Sequence, residues 1–172
     1  MKRVFGGLFL VSLVGLLLAA PAGAQRPHVP LPTPDPVVLE GYCTGFTAVI
    51  TYTEMNQYII RETIAPDGTT TLKITGHAQA TVTNQTTGES VTYNISGPGT
   101  IVIYPNGAFS IDAAGPNLLW TAPENLADFP DVPTISYTTG HVTVEVDPSG
   151  HTSSYTLAGG ARQTDVCAVL AS

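Results

Sequence analysis

Few residues in this chain combine the type and the spacing that chemistry needs. Of its four histidines, His77 and His141 each end a Thr-Gly-His triplet, and a pair of imidazoles can hold a metal. Both fall in polar lanes of alternating stretches, however, and they belong to segments that a meandering chain keeps apart. Solvent-facing histidines are the expectation, and no metal or cofactor is assigned. His28 lies in a proline-rich stretch and His151 beside the turn Asp147-Pro148-Ser149-Gly150, and both are expected to face solvent too. Glu62 is a different case. If Tyr58, Ile60 and Ile64 point inward, so does Glu62, and an interior carboxylate has a raised pKa suited to proton transfer or ligand contact. Ile59 and Ile60 blur the parity, and a slip of one residue turns Glu62 outward. No nucleophile elbow, zinc-protease helix, phosphate loop or paired-carboxylate spacing is present. No catalytic residue is assigned.

Cys43 and Cys167 are the only two cysteines. In an exported chain an even pair is most simply a disulfide. Trp120 stands with Leu118, Leu119, Leu126 and Phe129 at the one long connection, as an apolar cluster that either guards a cavity mouth or plugs it. Trp120, Phe129, Tyr93, Phe46 and Glu62 are therefore the candidate residues of a ligand cavity or its mouth.

The elements that must position these groups are strands. Thr69 to Thr83 and Ser90 to Tyr104 alternate strictly, with Leu72, Ile74, Ala78, Ala80 and Val82 in one lane of the first and Val91, Tyr93, Ile95, Ile101 and Ile103 in one lane of the second. Period-two alternation means strands with one dry and one wet face. Thr44 to Thr53 and Asn56 to Ile64 read as two further strands joined by a tight turn at Glu54-Met55. A fifth carries Phe109, Ile111 and Ala113. Thr121 and Glu124 are spaced as a capping box, which predicts a short helix to about Phe129. A sixth strand runs from Thr134 to Asp147 with a bulge near Thr139-Gly140, a seventh holds Tyr155 and Leu157, and Val166 to Leu170 is a short eighth. Strands this long cannot run straight through a domain this size. Mid-strand Gly76, Gly97, Gly115, Gly140 and Gly159 are read as bends that favour a closed barrel over a two-sheet sandwich. The fold expected is an all-β, antiparallel up-and-down barrel of about eight strands, lipocalin-like or allene-oxide-cyclase-like in plan, with one short helix in the long loop. In such a meander that loop stands at the end away from the disulfide.

The N-terminus carries a basic Lys2-Arg3, an apolar run from Val4 to Ala20 and a small-residue site at Ala22-Gly23-Ala24, which together read as a signal peptide. The expected organisation is a signal peptide over 1–24, a proline-rich linker over 25–39 and a single β-barrel domain over 40–172. The expected location is secreted, with no stable membrane span after cleavage. The net charge of −7 and the scattered Arg26, Arg61, Lys73 and Arg162 argue against nucleic acid, which needs clustered cations.

From Gly41 to Ala171 the chain resembles small secreted actinobacterial proteins of unknown function. The shared features are Cys43, Gly45 and Phe46, a Pro-Asp-Gly, Thr-Gly-His, Ser-Gly-Pro-Gly, a late Thr-x-Gly and a terminal Asp165-x-Cys167. The resemblance implies a fold and no activity. Three functions compete on the sequence: binding of a small apolar ligand in a barrel with an aromatic lane (Phe46, Tyr52, Tyr58, Tyr93, Phe109, Tyr155), interaction with a cell-envelope component without a small ligand, and an isomerase or cyclase using Glu62.

Overall fold

The computed structural model describes residues 28–172; the signal peptide expected over 1–24 lies outside the described residues, as does the start of the linker. The spine is a ribbon of two long antiparallel strands, β3 (Phe46–Ile64) and β4 (Thr70–Asn84), paired from Ala48↔Asn84 to Ile64↔Thr70. The segment from Phe46 to Ile64 holds no glycine, and none of its residues takes the positive φ of a tight hairpin. The turn expected at Glu54-Met55 is therefore absent. Register shifts between Tyr52 and Glu54 and between Ile59 and Arg61 take up the change of parity instead.

Short strands decorate this ribbon. β1 (Val29–Pro30) and β2 (Val37–Cys43) both pair with β3. The stretch expected to be only a linker thus contributes to two strands. β5 (Ser90–Asn94) pairs with the far half of β4, and β6 (Gly99–Ile103) with its near half. The strand expected from Ser90 to Tyr104 is cut at Ser96-Gly97-Pro98, where proline supplies no N–H to a ladder. β7 (Phe109–Ala114), β10 (His141–Val146) and β11 (Thr152–Leu157) continue outward from β6. A second sheet holds β8 (Asn117–Trp120), β9 (Ile135–Thr139) and β12 (Arg162–Asp165) in the order β12-β9-β8.

The segment from Thr134 to Asp147 therefore divides at Gly140 between two sheets; its parity change is a crossing, not a bulge. The eighth strand is a helix, α1 (Val166–Leu170), whose N-cap Asp165 accepts a hydrogen bond from the Ala168 N–H at 3.2 Å. Val166 and Leu170, one turn apart, are its buried residues. In the long connection only a single 3-10 turn forms, Pro123–Leu126, and no side chain caps it. The capping box at Thr121 and Glu124 does not close.

The fold is thus mostly antiparallel β, as expected. Its pairing among the described residues makes two sheets, and no closed ring of strands is found. Adjacent residues of a strand point to opposite faces, and Leu118 and Leu119 do so on β8. Leu118 joins Leu39, Ala48, Ile50, Val82, Ile135 and Val166 in one core, while Leu119 packs on Ala113, Val142 and Val144 in another. The small sheet is therefore held between the two ends of a curled large one. Full burial of a side chain such as Ile50 or Ile135 contributes roughly 1.5–3 kcal/mol.

Glycine marks the corners. A Cβ on Gly76 (φ +135°) would collide with the Asn56 carbonyl oxygen, and one on Gly97 with that of Ala114. Backbones meet there closely enough that only glycine fits.

Candidate functional site

Between the two sheets lies a cleft of about 90 Å³. One wall is β7, β10 and β11: Phe109 opposes Val146, Ile111 opposes Val144, and Val144 opposes Tyr155, so all five share one face. The other wall is Leu119 and Trp120 at the end of β8 with Thr121 just beyond, Val132 and Pro133 leading into β9, and Ser136 within it. None of the lining residues is charged. The polar groups are few. Gln163 Nε2 donates to the Tyr155 hydroxyl at 2.9 Å. Burial pushes the Tyr155 phenol above its ordinary value, and hydrogen bonds with Ser136 and Gln163 offset part of that rise. The tyrosine thus stays neutral at physiological pH and offers a hydroxyl at an apolar wall.

The floor does not stop at the cleft. Ile111 registers on Ile101, and Ile101 on Leu72; Phe109 registers on Ile103, and Ile103 on Thr70. Leu72, Ile74, Ile101 and Ile103 are all half-buried. An apolar shelf therefore runs from the cleft across β6 and β4. Glu62 registers on Leu72 at the edge of that shelf and is exposed. The interior carboxylate expected there is not formed: the shift in register at Ile60 turns Glu62 to the apolar face, but among the described residues no strand flanks this end of β3 on its other side, and the side chain stays in solvent.

The other candidates are dispersed. Tyr93 stacks on Tyr137 with ring centroids 4.5 Å apart, inside the first core. Burial raises the Tyr93 phenol, with the charge of Tyr137 a smaller cause. Phe46 borders a more open hollow of about 280 Å³, lined by turn residues such as Thr44 and Thr86 and by Asn84 at the end of β4. Phe129 is half-buried and does not line the cleft. Cys43 and Cys167 form the expected disulfide, with Cα atoms 5.4 Å apart. A simple meander puts the long connection at the opposite end from it. Instead Thr134 Oγ1 donates to the Tyr42 carbonyl at 2.6 Å and lies 3.8 Å from Cys167 Sγ. The reversals at Gly115 and Gly140 carry β8 and β9 back toward the clasp.

His77 and His141 are exposed, and each meets a carboxylate on a neighbouring strand. His141 Nε2 lies 3.1 Å from Asp112 Oδ1, and His77 Nε2 2.6 Å from Glu54 Oε2. The other nitrogen of His77, Nδ1, is 2.7 Å from Ser96 Oγ. This line of Glu54, His77 and Ser96 escapes sequence reasoning because its members come from three segments with no common motif. A signal is present in the Thr-Gly-His and Ser-Gly-Pro-Gly irregularities, which bring His77 and Ser96 together. Among the described residues no group of three or more His, Cys, Asp and Glu is placed to hold a metal ion. No described helix is long and apolar enough to cross a membrane. Comparisons with protein-family models, with curated proteins and with solved structures found no match for this chain.

Proposed function

We propose that the protein is an exported binding module that takes one apolar group of a small ligand into the cleft beside Trp120. The observation that carries this reading is the uncharged cleft whose floor continues onto the half-buried shelf of Leu72, Ile101 and Ile103. Its size sets the kind of ligand. At about 90 Å³ it is smaller than a cavity that encloses benzene, and far below the range that buries a drug-sized molecule. The group that enters is the end of an alkyl chain or part of a ring, and the remainder of the ligand lies along the shelf. A lipocalin-like barrel would enclose its ligand; this reading needs only the cleft. Export is supported by the signal-like N-terminus and the disulfide. Glu62, exposed at the rim, lends no support to an isomerase or cyclase.

Trp120 is the only tryptophan and serves as the reporter. A medium-chain fatty alcohol, titrated in, should shift its emission saturably, and Val144→Phe, which fills the cleft, should abolish the shift without unfolding. A signal that rises without limit, or one unaffected by Val144→Phe, would favour an envelope-interaction protein with no small ligand.

A further inference from the structure

The line of Glu54, His77 and Ser96 sits on the outer, polar face of the large sheet, away from the apolar cleft. Three irregularities meet to make it: the register shift that places Glu54, the bend at Gly76, and the break after β5 that frees Ser96 from any strand. Both ring nitrogens of His77 are engaged, Nε2 with Glu54 Oε2 at 2.6 Å and Nδ1 with Ser96 Oγ at 2.7 Å, and the roles follow from the tautomer. In the neutral tautomer that suits a carboxylate, Nε2 donates to Glu54 and Nδ1 accepts from the Ser96 hydroxyl. The rival acceptor, the Ala78 carbonyl, is farther away at 3.4 Å. The Ala78 N–H in turn donates to Ser96 Oγ at 3.0 Å, which favours negative charge developing on that oxygen. A hydroxyl with an N–H aimed at it, an unprotonated imidazole in contact and a carboxylate behind that imidazole is an activated nucleophile. Which imidazole nitrogen faces the hydroxyl does not matter to that role, since either can take the proton.

We propose that Ser96 is a nucleophile toward carboxylic esters presented from solvent, with His77 as general base and Glu54 as its positioning residue. Ser96 Oγ bonds to the ester carbonyl carbon as its proton passes to His77 Nδ1. The carbon–oxygen bond to the alcohol breaks, and the leaving alkoxide takes that proton back. Water then attacks the acyl-Ser96 carbonyl, with His77 again holding the proton, and releases the carboxylic acid and free Ser96. His77 and Glu54 have side chains 47% and 49% exposed, so the ester comes to an open surface. Gln79 and Asn94, paired next along the same face, and the Thr81 and Thr92 hydroxyls beyond them, 2.8 Å from each other, make that surface polar. The substrate class is accordingly an ester of a polar, hydroxyl-bearing alcohol rather than of a buried lipid.

The test uses the full chain with its disulfide intact and two probes. p-Nitrophenyl acetate reports turnover as p-nitrophenolate release, and a fluorophosphonate marks the nucleophile as a stable adduct, with fluoride as leaving group. The adduct should map to Ser96. Ser96→Ala and His77→Gln should each slow p-nitrophenolate release at least about 100-fold, and Glu54→Gln should lower kcat with KM unchanged. Because Ser96 also caps the Ala78 N–H, His77→Gln is the decisive variant should Ser96→Ala unfold. An adduct that maps elsewhere, no adduct at all, or release by folded His77→Gln as fast as by the native protein overturns the proposal.

Discussion

The same two strands, β3 and β4, behave differently at their two ends. Where β2 and β5 flank them, Ala48, Ile50, Ala80 and Val82 are 0% exposed, roofed by Leu118 and Ile135 and closed off by α1 and the disulfide. Where β6 flanks β4, the same face carries Leu72 and Ile74, and both are only half-buried; Ile64 at the end of β3 is 56% exposed. Along β4 the alternation is as regular at one end as at the other. The difference lies in what rests on the strands. Alternation tells which face is apolar, and only tertiary placement decides whether that face is core or binding surface.

The contrast can be broken most severely at the clasp. Replacing Cys43 and Cys167 by serine releases a link between residues 124 positions apart, worth about 5 kcal/mol in the chain-entropy model. The loss of stability should appear in equilibrium denaturation, and the shelf end should keep its shape longer than the clasped end. Side chains sharpen the same point. Ile50→Ala removes a wholly buried group and should cost about 3–4 kcal/mol, whereas Ile101→Ala, on the half-buried shelf, should cost about 1 kcal/mol. Equal shifts of the denaturation midpoint would mean that the shelf is core. The corner between the two regions gives a third comparison. Gly76→Ala drives a methyl into the Asn56 backbone in a left-handed conformation and should cost about 3 kcal/mol. Gly159→Ala, with open space around it, should stay within about 0.5 kcal/mol.

Much of the spine is legible in the chain. The run from Leu72 to Val82 announces β4 because a pleated strand alternates, and Asp67-Gly68 and Asn106-Gly107 mark real hairpins because both dipeptides tolerate the turn's backbone. The cysteine pair is legible for a simpler reason, there being only two. Sequence reasoning fails where a local pattern has two physical meanings. A parity change can be a bulge or a crossing between sheets; at Tyr52 and Ile60 it is the first, and at Gly140 the second. A short apolar run can be a strand or a helix, and at Val166 to Leu170 the Asp165 cap is the sign that decides. Of the site, Trp120 stands out from its apolar neighbours at the long loop. Its partners Val144, Val146 and Tyr155 do not, because only the fold-back of β8 brings them under it.

Methyl NMR of the protein titrated with toluene separates cleft, shelf and core in one experiment. If the cleft takes an apolar group, the methyl resonances of Ile111, Leu119, Val144 and Val146 shift first and saturate, those of Leu72 and Ile101 follow weakly, and those of Ile50 and Val82 stay in place. Shifts spread evenly over all these residues, or none at the cleft residues, would contradict a binding site beside Trp120.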